Sequence, residues 1–130
     1  MADQTVTRAA ESDLEPGIIY RVLSQADNLP QWAPVFADAV ERIDDTHYWV
    51  TKTGASFDVE LTLHPSAGTV DIIREMAQGK RGGAYIRVIP RPLGGSTIVM
   101  TVPIAPNAAL ADVAKVVDQE LEQLIRLAKA

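Results

Sequence analysis

The spacing of apolar residues at the end of the chain predicts one long amphipathic helix. Between Asn107 and Ala130, apolar residues recur every three or four positions, which aligns their side chains along one side of a helix. This stripe consists of Leu110, Val113, Ala114, Val117, Leu121, Leu124, Ile125 and Ala128. Asn107 suits the N-cap, and Arg126 and Lys129 suit the negative end of the helix dipole. A helix of this length would run ~36 Å, the width of a small domain.

The middle of the chain changes to the two-residue alternation of β-strands. The alternation is clearest between residues 56 and 64, where every second residue is apolar. Such a pattern is typical of an antiparallel sheet with one face in water. The predicted strands span residues 5–10, 37–43, 46–52, 56–64, 69–76, 84–89 and 97–104, with a glycine-rich loop at 79–83.

Helix signals lie between the first two predicted strands. Ser12 and Glu15 have the spacing of a capping box, and Pro16 falls in the first turn, so a helix is predicted from there to about Asn28. Two prolines flank Trp32, which predicts a short helical turn and a bend that holds the indole.

The order of these elements predicts an α+β protein. A curved antiparallel sheet of about seven strands would wrap around the long C-terminal helix, with one or two short helices between strands 1 and 2. A sheet with one apolar face needs a cover, and the last helix is the element long and apolar enough to provide it. The 130 residues suit a single domain that spans positions 1–130.

Composition narrows the classes of function. No cysteine is present, which excludes disulfides and thiolate sites and suits a reducing compartment, so we expect a cytoplasmic protein. The net charge of −5 argues against nucleic acid as a partner. No window approaches 18 continuous apolar residues and no export signal is visible at the start, so no integral membrane association is expected.

Short motifs follow one another along nearly the whole chain. They are Leu29-Pro30-Gln31-Trp32-Ala33-Pro34, Tyr48-Trp49-Val50 before Gly54, Gly68-Thr69-Val70-Asp71, Arg87-Val88-Ile89-Pro90, Gly94-Gly95-Ser96 and the closing helix. In order and spacing they resemble the START-related helix-grip (SRPBCC) superfamily, which includes polyketide cyclases, lipid-transfer domains and coenzyme Q-binding proteins. The chain is similar to small bacterial members without an assigned function. The resemblance implies a cavity between sheet and helix, but not one particular ligand.

One face of the last three strands is apolar except for Arg74. If Ile72 lies opposite Val88 and Val88 opposite Ile98, this face is expected to lie against the helix. It comprises Val70, Ile72, Arg74, Met76, Ala84, Ile86, Val88, Ile98, Met100 and Val102. The candidate ligand-binding residues are Trp32, Trp49, Phe57, Arg74, Met76, Ile86, Met100, Val113 and Val117.

Arg74 has two interpretations. A guanidinium on an apolar wall is unfavourable unless it is paired, so Arg74 would suit an acidic or carbonyl-bearing ligand. The more common arrangement is structural, in which it reaches water or pairs with Glu120 or Asp118. A one-residue slip in register would exchange the two faces and bring an alternative polar site into the cavity. The slip would turn Asp71, Glu75, Tyr85 and Arg87 inward, and the candidate residues of the alternative polar site are Asp71, Tyr85 and Arg87 together with His47.

The direction of Trp49 depends on the hairpin turn at Gly54. A two-residue turn would place Tyr48 and Val50 inside, whereas a three-residue turn would place Trp49 inside. We expect Trp49 inside, because its larger apolar surface gains more from leaving water.

Three other candidates also have a structural interpretation. Trp32 would either plug the core beneath the cavity mouth or contact the ligand. Met76 and Met100 would either fill the core or adapt to apolar ligands.

No motif in the sequence demands a metal or a cofactor. His47 and His64 lack a third converging ligand, and the glycine-rich loop lacks the Lys-Ser/Thr ending of a phosphate-binding loop. We therefore predict a protein that binds a hydrophobic or amphiphilic small molecule, without a metal or cofactor.

Two alternatives remain open. One is a polyketide cyclase or aromatase-like enzyme without a cofactor, in which Arg74 polarises a carbonyl and Tyr85, Asp71 or His47 transfers protons. Nothing in the sequence requires catalysis. The other is a protein-interaction module with a closed cavity. Its outer-face residues, which would also suit a homodimer, are Ile73, Ile89 and Val99.

Overall fold

A computed structural model describes residues 4–75, 79–105 and 107–130. Its strands are β1 (Thr5–Ser12), β2 (Ala39–Arg42), β3 (His47–Lys52), β4 (Ala55–His64), β5 (Thr69–Glu75), β6 (Arg81–Pro90) and β7 (Ser96–Pro103). Its helices are α1 (Pro16–Leu23), α2 (Leu29–Trp32) and α3 (Leu110–Lys129), with 3₁₀ turns at Ala26–Asn28 and Pro65–Ala67. All described strands form one antiparallel sheet in the order β1-β7-β6-β5-β4-β3-β2.

The long C-terminal helix packs against this sheet. Val117, Leu121 and Leu124 of α3 are buried, and the helix contacts β1, β7, α1 and α2. The inward residues of the sheet complete a single apolar core with them. The predicted α+β helix-grip fold is therefore confirmed. Within the described residues, no helix has both the length and the apolar character needed to cross a membrane.

The predicted caps of both longer helices are wrong. The N-cap of α3 is Ala109 rather than Asn107, and no side chain in the described part of the chain caps the helix. At α1, Ser12 is still in β1, where its Oγ accepts the Leu14 N–H at 3.1 Å, and Glu15 is itself the N-cap residue. The Glu15 carboxylate accepts the N–H of Gly95 at 3.4 Å. Glu15 therefore connects the start of α1 to the β6–β7 turn, and Ser12 and Glu15 do not form a capping box.

The register of β5 and β6 differs from the prediction, although the faces do not. Ile72 pairs with Ala84 rather than Val88, because β6 begins at Arg81 and the glycines that follow belong to the strand. The predicted pairing of Val88 with Ile98 is confirmed. The shift of four residues is even, so each side chain keeps its side of the sheet.

The β3–β4 turn has two residues, which makes the prediction for Trp49 wrong. Thr53 and Gly54 both have positive φ, 51° and 79°, as a two-residue hairpin turn requires. Val50 is consequently fully buried, whereas Trp49 is 45% exposed on the outer face.

Gly68 is predicted to be essential for the start of β5. Its φ is +71°, and a Cβ there would lie 2.4 Å from the carbonyl oxygen of Val88. We expect Gly68→Ala to lower the free energy of unfolding by more than about 1 kcal/mol. Urea denaturation measures this loss. Gly54→Ala is the matched control, since Gly54 has φ +79° but an added Cβ would meet nothing within 4 Å. Equal losses in the two variants would contradict the steric explanation.

Candidate functional site

A cavity of about 610 Å³ lies between the sheet and the helices. Its walls come from α2 and the residues after it, from β5, β6 and β7, and from α3. The lining residues are Leu29, Trp32, Ala33, Phe36, Ile72, Arg74, Glu75, Gly83, Ala84, Met100, Val102, Pro103 and Glu120. Most of them are apolar, so the few polar groups determine which chemistry the cavity can recognise.

Trp32 is held at the cavity by the short helix α2. The side chain is only 1% exposed, and its indole Nε1 has no hydrogen-bond partner among the described residues. Proline at the start of α2 and the bend after it fix this position, as the sequence indicates. An unpartnered buried N–H is unfavourable, so Trp32 would gain if an acceptor reached its Nε1.

Arg74 reaches the same cavity from β5. Its guanidinium carbon lies 3.8 Å from the centre of the Phe57 ring, over the ring face, which stabilises the cation. Phe57 in turn packs edge-on against Phe36, with ring centres 5.5 Å apart. The Nε of Arg74 is buried and has no partner within the described part of the chain.

The predicted pairing of Arg74 with a helix carboxylate is not found. Asp118 instead binds Arg8 of β1, with an Nε to Oδ1 distance of 2.8 Å. Glu120 lines the cavity with Arg74, but among the described residues it forms no salt bridge with it. Arg74 therefore lies on the cavity wall, and no carboxylate of residues 4–75, 79–105 or 107–130 binds it.

Glu120 presents a carboxyl group to the cavity from α3. Burial disfavours its charged form and raises its pKa to about 7, from an ordinary value of 4.5. A protonated carboxyl both donates and accepts a hydrogen bond. The sequence contains the signal for this position, because Glu120 lies three residues after Val117 and four before Leu124, on the buried side of the helix.

The predicted ligand-binding residues fall into three groups. Trp32, Arg74 and Met100 line the cavity. The second group packs next to the cavity and includes Phe57, whose ring contacts the guanidinium of Arg74. Its other members are Ile86 and Val117 in the buried core and the half-buried Val113. Trp49 lies on the outer face, and Met76 lies outside the described residues.

The alternative polar site lies away from the cavity. Asp71 pairs across the sheet with Tyr85, on the face opposite Val70, and Tyr85 and Arg87 are exposed. His47 lies at the start of β3, where its N–H donates to Asp44 at 2.8 Å. The register that would bring these residues inside is therefore wrong. Among the residues that the structure describes, no group of three or more His, Asp or Glu side chains is placed to hold a metal ion.

Several lining residues escaped prediction from the sequence. They are Leu29, Ala33, Phe36, Glu75, Gly83, Pro103 and Glu120. Leu29 and Ala33 belong to the same motif as Trp32, so helical spacing around the indole would have indicated them. Gly83 was predicted in a loop and reaches the cavity because β6 starts earlier than expected.

Solved structures share this architecture. An aromatase/cyclase from a Streptomyces species is 12% identical, with a TM-score of 0.74 over 98% of this chain and 94% of that chain. A protein from Mesorhizobium loti is 17% identical, with a TM-score of 0.73 over 97% of both chains. A START superfamily protein from Mycobacterium smegmatis is 16% identical, with a TM-score of 0.62 over 94% of this chain and 92% of that chain.

At these identities the likeness establishes the fold. No protein-family model and no curated protein sequence matches the chain. The helix-grip fold that the sequence predicts is confirmed, since the aromatase/cyclase and the START superfamily protein share it.

Proposed function

We propose that this helix-grip protein binds a hydrophobic or amphiphilic small molecule in the cavity between its sheet and α3. The observation that carries the proposal is the cavity of about 610 Å³, whose apolar wall is interrupted by Trp32, Arg74 and Glu120. Ligand sites of proteins commonly have this size and combine apolar walls with a few placed polar groups. The fold shared with an aromatase/cyclase and a START protein supports the same function.

The two alternatives have weaker support. A cyclase-type enzyme would need groups that transfer protons. The expected ones, Asp71, Tyr85 and His47, lie outside the cavity, so such an enzyme would have to use Glu120 instead. A protein-interaction module would have a closed cavity, whereas a cavity of about 610 Å³ lies between the sheet and α3.

Filling the cavity should abolish binding. Ala84 lines the cavity from β6, so Ala84→Trp would place an indole in the space a ligand needs. We expect the wild-type protein to bind the neutral dye Nile red with a blue shift in fluorescence, and the variant to bind it about tenfold more weakly or worse.

The control for this experiment is Ala9→Trp. Ala9 is exposed on β1, so the added indole stays outside the cavity and dye binding should not change. Circular dichroism of both variants shows whether they fold. Equal dye binding by wild type and a folded Ala84→Trp protein would contradict the proposed site.

A further inference from the structure

Two residues of the cavity wall have a buried donor without an acceptor among the described residues. The Nε1 of Trp32 and the Nε of Arg74 are buried and unpartnered within the described residues. Both belong to residues that line the cavity. Each would gain from a ligand oxygen that reaches it, since a buried donor without an acceptor is unfavourable. The ligand is therefore expected to carry acceptor oxygens.

The charge of Arg74 further restricts the ligand. Five other arginines of the described chain bind carboxylates, namely Arg8, Arg42, Arg81, Arg91 and Arg126. The remaining two, Arg21 and Arg87, are exposed to water. Arg74 is partly buried, and among the described residues its charge contacts the face of Phe57 and no carboxylate. A neutral carbonyl would satisfy its N–H groups but would leave the charge uncompensated, whereas a carboxylate provides both an acceptor and the opposite charge.

The ionisable groups around Glu120 determine whether its carboxyl group is protonated when an anion binds in the cavity. Arg74 and Glu75 of β5 line the same cavity, and Glu75 is exposed at the end of its strand. No ionisable residue occurs in α2 or β7. Two ionisable residues on the other elements that pack against α3 are already paired. Arg8 of β1 binds Asp118, and the hydroxyl of Tyr20 in α1 donates to the carbonyl of Thr69.

Further ionisable residues on those elements, Glu11 and Arg21, are exposed. An anionic ligand would therefore meet Glu120 in a cavity whose single positive charge is Arg74, within the lining that the structure describes. Two carboxylates near one guanidinium repel each other, which favours retention of one proton by the pair.

We propose that the ligand is an amphiphile with an apolar body and a carboxylate, held by Arg74 and Trp32, and that Glu120 is protonated when it is bound. This proposal rests on the proposed function and adds the chemical class of the ligand. The bound carboxylate accepts from Arg74 and from the Glu120 hydroxyl, while the apolar body occupies the rest of the cavity.

Two probes with the same apolar body test the ligand class. Decanoate and decan-1-ol differ in the head group, and isothermal titration calorimetry gives their affinities. We expect decanoate to bind the wild-type protein about tenfold more tightly or better, and Arg74→Gln to lose that preference. Arg87→Gln, on the exposed outer face, is the control and should keep it.

Proton uptake tests the role of Glu120. In two buffers with different ionisation enthalpies, at a pH just above 7, decanoate binding should take up protons. Glu120→Gln keeps a donor at the site, so it should bind decanoate without proton uptake. A residue with a purely structural role would not change the number of protons taken up.

The possible failures are distinguishable. Decan-1-ol binding as tightly as decanoate, or proton uptake that persists in Glu120→Gln, would overturn the proposal while the proposed function stands. Failure of both probes to bind a folded protein would overturn the ligand class and the proposed function together.

Discussion

Replacing Trp32 with alanine is expected to lower the free energy of unfolding by about 3–5 kcal/mol. The side chain is 1% exposed and lies in the apolar core while it forms part of the cavity wall. Truncation removes the apolar contacts of the indole and enlarges the cavity, and the surrounding elements can close the space only in part. Urea denaturation followed by far-ultraviolet circular dichroism measures the loss, since this signal comes mainly from the backbone and not from tryptophan.

Trp49 provides the matched control. It is the same residue type and is 45% exposed on the outer face of the sheet. Trp49→Ala should therefore cost less than half as much as Trp32→Ala. A larger loss for Trp49→Ala would show that the β3–β4 hairpin has the other register and that Trp49 lies inside.

The charge of Glu120 is expected to make stability fall as the pH rises. In the folded protein burial raises the pKa of Glu120 to about 7, whereas the ordinary value is 4.5. Between these values the folded protein keeps a proton that the unfolded chain has released, so the stability present below pH 4.5 is lost progressively up to pH 7. The full difference corresponds to about 3 kcal/mol. In Glu120→Gln this part of the pH dependence should disappear.

Urea denaturation at a series of pH values across this window tests the prediction. Glu122→Gln is the control, because Glu122 is on the same helix but is exposed and paired with Arg126. Glu122→Gln should follow the wild-type pH dependence. If Glu120→Gln also follows it, Glu120 is not buried in the cavity wall.

Periodicity in the sequence was sufficient to predict the fold. The three-and-four spacing in α3 and the alternation in β4 depend on which face of an element leaves water, and that requirement dominates the energetics of folding. The ends of the elements were less predictable. Asn107 is a favourable N-cap residue, yet α3 begins at Leu110.

The site residues were harder to predict, because the pattern of apolar and polar residues determines neither the length of a turn nor the position of a cavity. Whether the turn around Gly54 has two or three residues reverses the direction of Trp49, and the turn that forms requires a positive φ at Thr53, which is unusual for a β-branched residue. Glu120 was considered only as a partner for Arg74. The helical spacing explains why Glu120 is buried. Its proposed role depends on the cavity beside it, which the sequence does not reveal.

Nuclear magnetic resonance of the two tryptophan side chains tests the cavity most directly. The chain contains two tryptophans, so an ¹H–¹⁵N spectrum should show two indole N–H signals, one from the cavity and one from the outer face. The indole signal that is missing from the spectrum of Trp49→Phe belongs to Trp49, and the remaining signal belongs to Trp32. Titration with decanoate or with decan-1-ol should move the Trp32 signal and leave the Trp49 signal in place. A Trp32 signal that does not respond to either compound, or a response confined to Trp49, would contradict ligand binding between the sheet and α3.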